Sequence, residues 1–450
     1  MEVCQPNMWR DTLRLGLAKA CVALGLGIAT VGCAASEAAN EATLPLALRM
    51  QIAAQIRSDV DQYFAHWQGT GELDFDAAYK SYLDDISRTD DRRAFDLATE
   101  KLFALLANGH TTYYDKWLWK SSGPGTGLFV HYIDGRWIVL DSTHEAVTRG
   151  TVITSVDGQP IETFFADNSR YIVGSDALAR RNHLFNNSPL FGMVFTVGTD
   201  DGRTIRIDRK VHADRWLAAR KAPAIPATIA YVKIDGFDDP HYESDAVAYI
   251  RQHADAKALI VDVRGNNGGS TPVALIRALL TQPYRDWTEA SALSVGMLKT
   301  YGGYRDSTNR KDDAETYGFD SALKNYFDRP MMYWPGPIQY PDQPIYKGQV
   351  IVLTDSDCAS ACEDFVMPMK NSHRATIVGD RTFGSSGQPF SRKISEDISY
   401  RIGAKRMFFG DGSPFEGVGI EPDVKVARSV EQFRTGEDPV LSKAIGLVNK

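Results

Sequence analysis

The chain has 450 residues, of which 43% are apolar and 24% charged, and its formal net charge is −7. This length exceeds one ordinary domain, so two or three domains are expected. The acidic balance offers no basic stripe for a phosphate backbone and argues against a nucleic-acid binder. Beyond residue 48, no apolar run approaches the roughly 18 to 20 residues that a membrane span requires.

The N-terminal segment has the pattern of an export signal over residues 1–35. Three basic residues precede a charge-free stretch at 20–36; they are Arg10, Arg14 and Lys19. That order is typical of signal peptides. Residues 30–33 resemble a bacterial lipobox, in which Cys33 would be acylated, although Leu is usual where Thr30 stands. The alternatives are cleavage after Ala35 and an anchor that is not cleaved. We therefore expect export, to the periplasm or as an outer-membrane lipoprotein of a bacterium, with membrane contact only through this anchor.

If cleavage removes or acylates Cys33, only Cys358 and Cys362 remain as unmodified cysteines of the mature chain. Two cysteines form neither a disulfide scaffold nor, without a neighbouring Cys or His pair, a zinc site. Residues four apart in a helix have Cα atoms about 6 Å apart, which a disulfide can bridge. Two small buried thiols are the favoured interpretation.

Residues 43–118 show helical periodicity and predict a helical domain. Apolar residues recur four apart at its start, at Leu44, Leu48, Ile52, Ile56, Val60 and Phe64. Such spacing places them on one helix face. The domain ends at Asn108-Gly109-His110-Thr111, where Gly109 is a helix stop. His110 would therefore lie at a helix exit, facing another domain.

Residues 124–212 change to short strands separated by glycine turns, which predicts a β-rich domain. Within it, residues 150–153 and 156–161 resemble the strand and turn of a PDZ domain. Residues 168–190 look like an insertion, and a generic β-sandwich module is the alternative.

From residue 226 to 430, strands alternate with helices, and residues 431–450 are interpreted as a tail. The predicted strands are 229–234, 258–263, 350–354 and 375–378, and the predicted helices are 242–253, 272–280 and one beginning near 359. Repeated strand-helix-strand units predict a mainly parallel sheet covered by helices. Functional loops in such sheets follow the carboxyl ends of the strands.

Two of these strand ends carry residues suited to acyl transfer. Ser360 stands where a strand turns into a helix, so its hydroxyl meets the unpaired N–H groups of the helix start. At the other strand end, Gly268 and Gly269 allow close backbone approach. The N–H of Ala361, with that of Gly268 or Gly269, could stabilise an oxyanion. Alone, Ser360 would more often be an N-cap; beside the double glycine, a nucleophile is favoured.

Four stretches then resemble the ordered signature set of the S41 serine peptidases, the family of tricorn and the C-terminal-processing proteases; they are residues 259–269, 352–363, 374–384 and 417–423. The resemblance implies a multidomain α+β fold with an N-terminal helical domain, a PDZ-like domain and an α/β peptidase core of the ClpP/crotonase-like type. It implies neither a metal nor a cofactor.

The resemblance also assigns roles. In the C-terminal-processing branch the nucleophile matches Ser360 and a lysine base lies about 25 residues later, but this chain has Ser385 there. Lys370 lies ten helical residues after Ser360, about 15 Å away along the helix axis, and therefore cannot act as the base. The tricorn-like branch instead implies His110 as base and Glu416 as its supporting carboxylate. The alternatives are a capping or buried role for His110 and a solvated loop position for Glu416.

One departure concerns the relay behind the histidine. Tricorn has a serine just before its histidine, where this chain has Gly109, so the relay must differ or pass through Thr111. Glu363 is expected to stabilise the first helical turn rather than to act in catalysis.

The function expected is that of an exported serine endopeptidase acting on peptides or unfolded proteins through an acyl-enzyme on Ser360. The rival is a catalytically degenerate scaffold protein that binds peptides through the PDZ-like module. An esterase of another fold is disfavoured because no Gly-x-Ser-x-Gly motif surrounds Ser360.

Overall fold

The computed structural model describes residues 41–211, 224–297 and 331–448. The predicted signal segment, with Cys33, lies outside these ranges. Within them, no helix is both long enough and apolar enough to cross a bilayer.

The described residues begin with a helical region. Its helices are α1 (Leu46–Tyr63), α2 (Phe75–Ser87) and α3 (Arg92–Ala104). Asp74 and Asp91 cap α2 and α3 by accepting backbone N–H groups of the first turn. Helix α3 ends before the predicted stop at Gly109. His110 therefore lies on a loop that leads into strand β1 (Thr112–Asp115) and the short helix α4 (Lys116–Ser121).

A β-rich region follows. Its elements are β2 (Leu128–Ile133), β3 (Arg136–Ser142), β4 (Val152–Val156), β5 (Gln159–Pro160), α5 (Ile161–Asn168), α6 (Ala177–His183), β6 (Val194–Thr199) and β7 (Thr204–Asp208). The strands form an antiparallel sheet of order β2-β3-β4-β6-β7, with β5 paired to β4. Helix α6, within the predicted insertion, packs against β2, where Asn182 accepts the backbone N–H of Tyr132 at 2.9 Å.

The remaining chain alternates strands and helices. Its elements are β8 (Ile229–Lys233), α7 (Pro240–Gln252), β9 (Ala258–Asp262), α8 (Val273–Leu279), β10 (Tyr284–Arg285), β11 (Thr288–Ala292), β12 (Met331–Trp334), β13 (Ile338–Gln339), β14 (Gln349–Thr354), α9 (Ala361–Asn371), β15 (Ala375–Gly379), β16 (Phe390–Lys393), β17 (Ile398–Ile402), β18 (Arg406–Phe408), β19 (Val424–Lys425), α10 (Val430–Thr435) and α11 (Pro439–Val448).

The predicted parallel sheet is confirmed. Its five strands run β19-β15-β14-β9-β8, and each neighbouring pair is parallel. Leu353 near the end of β14 stands opposite Asp262 at the end of β9. The loops that follow these two strands, 263–269 and 355–360, therefore emerge side by side, which brings Gly268 to Ser360.

The regions predicted as separate domains share cores. Strand β17 pairs with β1, and Tyr400 and Ile402 lie buried among the front helices. Residues predicted as a tail form α10 and α11. Phe433 of α10 packs on the β-rich sheet, and the apolar face of α11 covers the parallel sheet. That face consists of Val440, Leu441, Ala444 and Val448. The segment interpreted as a tail therefore contains two helices that pack on both sheets, because its apolar residues recur at helical spacing.

Candidate active site

Ser360 lies in a sharp turn between β14 and α9. Its φ of 55° and ψ of −124° fall where non-glycine residues rarely lie. Such a backbone costs on the order of 1–3 kcal/mol and persists only when its surroundings hold it. The Ser360 N–H is held by the Ser385 carbonyl at 3.0 Å and by a carboxylate oxygen of Glu363 at 3.2 Å. The turn leaves the Ser360 side chain partly exposed.

A disulfide brackets this turn. Cys358 and Cys362 are joined, with Cα atoms 5.4 Å apart, and both are fully buried. The favoured interpretation as free thiols was therefore wrong. Only Cys362 lies in α9, yet the turn at Ser360 brings Cys358 within bridging distance. The cross-link ties the end of the β14 loop to the first turn of α9, with Ser360 at its centre.

His110 stands between two serine hydroxyls. Its Nε2 lies 3.2 Å from the Ser360 Oγ and its Nδ1 lies 2.8 Å from the Ser385 Oγ. Its backbone N–H donates to the Asn108 side chain at 3.0 Å, which fixes the loop. Lys370 is engaged elsewhere, because its Nζ donates to Asp423 at 2.8 Å. The structure thus brings together His110 and Ser360, which are 250 residues apart in sequence.

The hydroxyl group that hydrogen-bonds the His110 Nδ1 is that of Ser385 and not that of Thr111. The Thr111 hydroxyl donates to Asn108 at 3.0 Å and accepts the Gly403 N–H at 2.9 Å, so its proton is committed away from the histidine. Ser385 is buried, and its side chain interacts with the Glu416 carboxyl group. The sequence pointed to Ser385 only as the residue that stands where the C-terminal-processing branch has its lysine base. The presence of serine at that position was the one signal in the sequence for the contact with His110.

Burial sets the charge states of this chain of groups. It lowers the pKa of His110 to about 4, and the cationic Arg401 acts in the same direction. The imidazole is therefore neutral near pH 7 and can accept a proton. Burial, reinforced by Glu363, raises the pKa of Glu416, whose side chain is only 6% exposed. One Glu416 oxygen accepts the Ser386 N–H at 3.3 Å.

Glu363 does more than stabilise the first turn of α9. Its carboxylate is fully buried and burial raises its pKa to about 8. Besides the Ser360 N–H, it accepts the Thr382 hydroxyl and the N–H groups of Gly384 and Ser385, at 2.5, 2.7 and 3.0 Å. One side chain thus joins the Ser360 turn to the loop carrying Ser385. The Thr-Phe-Gly motif at 382–384 was the sequence signal for this contact.

The double-glycine loop lies directly against the Ser360 turn. A Cβ placed on Gly268, where φ is +97°, would lie 2.7 Å from the Ser360 Cβ and 3.0 Å from the Ala361 nitrogen. Asn266, fully buried, accepts the Ala359 N–H on its carbonyl and the Gly268 N–H on its side chain, at 3.1 and 2.9 Å. The Gly268 N–H would have to be shared with Asn266 to reach an oxyanion. Gly269 lies against Phe237.

Comparison with known proteins places these features in a family. A family model described as peptidase family S41 matches residues 228–426. The carboxy-terminal-processing protease of Bartonella bacilliformis is 27% identical over 318 residues, which cover 68% of this chain and 61% of that protein. The tricorn protease of Thermoplasma volcanium is 28% identical over 104 residues, 23% of this chain and 10% of that protein. This chain thus spans less than two thirds of the length of these relatives.

Solved structures extend the likeness to nearly the whole chain. The structure described as mature CPAF superposes with a TM-score of 0.68 at 15% identity, covering 90% of this chain and 97% of that one. The mature CPAF complex with lactacystin gives a TM-score of 0.67 at 14% identity, covering 90% and 98%. At this identity the likeness concerns the fold alone.

Proposed function

We propose that this chain, which belongs to peptidase family S41, is a serine endopeptidase. It would cleave peptides or unfolded proteins through an acyl-enzyme on Ser360. The observation that carries the proposal is the position of His110, whose Nε2 lies 3.2 Å from the Ser360 Oγ while Nδ1 lies 2.8 Å from the Ser385 Oγ. That arrangement leaves one ring nitrogen free to accept the serine proton.

The proton path follows from the donors and acceptors. With its proton on Nδ1, His110 donates to the Ser385 hydroxyl, which in turn donates to Glu416, and Nε2 accepts the proton of Ser360. The Ser360 oxygen attacks the peptide carbonyl, and the developing oxyanion faces the N–H of Ala361 at the start of α9. The imidazolium then protonates the leaving amine, and a water molecule hydrolyses the acyl-enzyme by the same path in reverse.

The degenerate scaffold drew its support from the missing lysine. Ser385 stands in the position of that lysine and hydrogen-bonds His110. His110 can therefore act as the base in place of the lysine. The strained Ser360 backbone argues in the same direction, because strain of this kind is kept where it serves a site.

The relay gives a test of the mechanism. We expect Ser385→Ala and Glu416→Ala each to lower kcat by about 10- to 100-fold, less than loss of the base itself. Because the two groups act in one chain, the double variant should lose little more than either single variant. Steady-state kinetics on an unstructured protein such as casein measures this. Fully additive losses would show that Glu416 does not act through Ser385.

Finer assignments of the fold belong to the same proposal. We assign residues 124–212 as a PDZ-like domain and residues 226–430 as a ClpP/crotonase-like core, preceded by the helical domain at 43–118. The antiparallel sheet with α6 against β2, and the parallel sheet with Ser360 beyond its carboxyl edge, support these assignments.

Export is proposed from the basic, then apolar, N-terminal segment. If Cys33 is acylated, Cys33→Ala should move the protein from the membrane fraction to the soluble fraction of the exporting cell. Fractionation followed by immunoblotting measures the distribution, with Cys21→Ala as the control within the same segment. An unchanged distribution would show that the lipobox interpretation is wrong.

A further inference from the structure

A second buried histidine, His66, lies beside Glu416. It stands shortly after the end of α1, and its Nδ1 is 4.0 Å from the Glu416 Oε2, with 5% and 6% of the two side chains exposed. The Glu416 Oε1 accepts the Ser386 N–H. In the part of the chain that the structure describes, the Glu416 Oε2 has no hydrogen-bond partner and is closed to solvent. His66 therefore faces a carboxyl oxygen that lacks a donor.

The His66 ring is held against the segment that fixes the histidine loop. The Ala65 N–H donates to the Gly403 carbonyl, and the Gly403 N–H donates to the Thr111 hydroxyl, both at 2.9 Å. A Cβ placed on Gly403 would lie 2.8 Å from the His66 Cδ2 and 2.9 Å from its Nε2. The absence of a side chain at Gly403 thus allows the ring of His66 to pack beside the loop that carries His110.

Burial keeps His66 neutral at physiological pH. It lowers the pKa of His66 to about 3; Arg406 and His110 act in the same direction, and the backbone of Lys405 acts in the opposite one. A neutral imidazole still offers one N–H. At 4.0 Å the Nδ1 is beyond hydrogen-bond distance from the Glu416 Oε2, so the interaction is electrostatic. In a site closed to water, such an interaction is stronger than at the surface.

We propose that His66 is a positioning residue of the relay, which orients the Glu416 carboxyl group by presenting its Nδ1–H to the Glu416 Oε2. It touches neither the substrate nor the reacting atoms and acts only through Glu416. This inference rests on the proposed function, to which it adds a second group supplied by the front helical region.

Two amide substitutions distinguish the ring nitrogens of His66. His66→Asn places an amide N–H near the position of Nδ1, whereas His66→Gln places it near that of Nε2. We expect His66→Gln and His66→Phe to lower kcat by about 5- to 20-fold with KM changed by less than about twofold, and His66→Asn to keep at least about half of the kcat. Steady-state kinetics on casein measures this. A merely structural role would not separate Asn from Gln, and equal losses in all three variants would contradict the proposal.

A double-variant cycle tests whether His66 acts through Glu416. In the Glu416→Ala background, His66→Phe should lower kcat further by less than about twofold, because the group on which His66 acts is gone. His144→Phe, at a buried histidine of the β-rich region, is the matched control and should leave kcat unchanged. Thermal unfolding would establish that each variant is folded. A full loss from His66→Phe in the Glu416→Ala background would refute the proposed coupling.

A measurement without turnover separates failure of this inference from failure of the proposed function. In protein labelled with nitrogen-15 histidine, the ring resonances of His66 are assigned by their loss in His66→Asn. We expect a protonated Nδ1 whose resonance shifts in Glu416→Ala but not in Glu421→Ala, at an exposed glutamate nearby in sequence. That result would support the His66–Glu416 interaction even if Ser360 is not the nucleophile. An unprotonated Nδ1, or a resonance that Glu416→Ala leaves in place, would overturn it even in an active peptidase.

Discussion

Replacing His110 with alanine is expected to lower kcat/KM for an unstructured protein substrate by about 10²- to 10⁴-fold. A serine hydroxyl at its ordinary pKa is too weak a nucleophile without a base, and the His110 Nε2 is 3.2 Å from it. Ser360→Ala should be at least as damaging. Because the two residues act as a unit, the double variant should be no worse than the more damaged single variant.

His253→Ala is the matched control. His253 is exposed at the end of α7, where its ring hydrogen-bonds the Tyr249 carbonyl of the same helix, and its removal should leave turnover unchanged. Circular dichroism and thermal unfolding would establish that each variant is folded. If the His110→Ala variant keeps wild-type turnover while the Ser360→Ala variant is inactive, a group other than His110 must act as the base for Ser360.

The same base predicts the pH dependence. Because burial and Arg401 lower the pKa of His110 to about 4, the neutral imidazole persists well below the pH where an ordinary histidine is protonated. The imidazolium cannot accept a proton, so kcat/KM should fall as the pH drops through about 4 rather than 6.5. An acid limb centred above pH 7 in the folded protein would point to a different base.

Gly268→Ala is expected to lower kcat/KM by about 10²- to 10³-fold, similar to the loss of an oxyanion contact. The added Cβ would lie 2.7 Å from both the Ser360 Cβ and the Ala359 carbonyl oxygen, so the Ser360 turn must shift. A displacement of about 1 Å at the nucleophile suffices for a loss of this size.

Gly265→Ala separates this contact from backbone strain. Gly265 also has a positive φ, +75°, in the same loop, but a Cβ there meets no atom within 4 Å. Both substitutions should lower the free energy of unfolding, because alanine is strained at positive φ. Only Gly268→Ala should abolish most turnover. Equal losses of activity in both variants would attribute the effect to loop strain.

Short-range patterns in the sequence predicted the local structure well. Alternating and four-residue apolar spacings identified the front helices and the four strands of the parallel sheet that carry long apolar runs. The strand ends with Gly268 and Ser360 could be recognised because a parallel sheet presents its carboxyl ends on one edge. These features depend on neighbours in sequence, so the amino-acid sequence determines them almost by itself.

Contacts between distant segments could not be derived in this way. Ser385 and His110 are 275 residues apart, and their hydrogen bond exists only because Glu363 fixes the 382–385 loop against the Ser360 turn. The four-residue spacing of Cys358 and Cys362 left their disulfide open, and only the folded turn at Ser360, which holds the two Cα atoms 5.4 Å apart, decides it.

The sequence therefore determined which residues can perform the chemistry: a serine at a helix start, a histidine on a loop and glycines that permit close approach. The tertiary structure decided which of them meet, and it placed Arg401 close enough to His110 to lower the pKa of the imidazole. Chemical reactivity belongs to the residue type, whereas a hydrogen bond requires two groups within about 3 Å, and only packing of whole elements sets that distance.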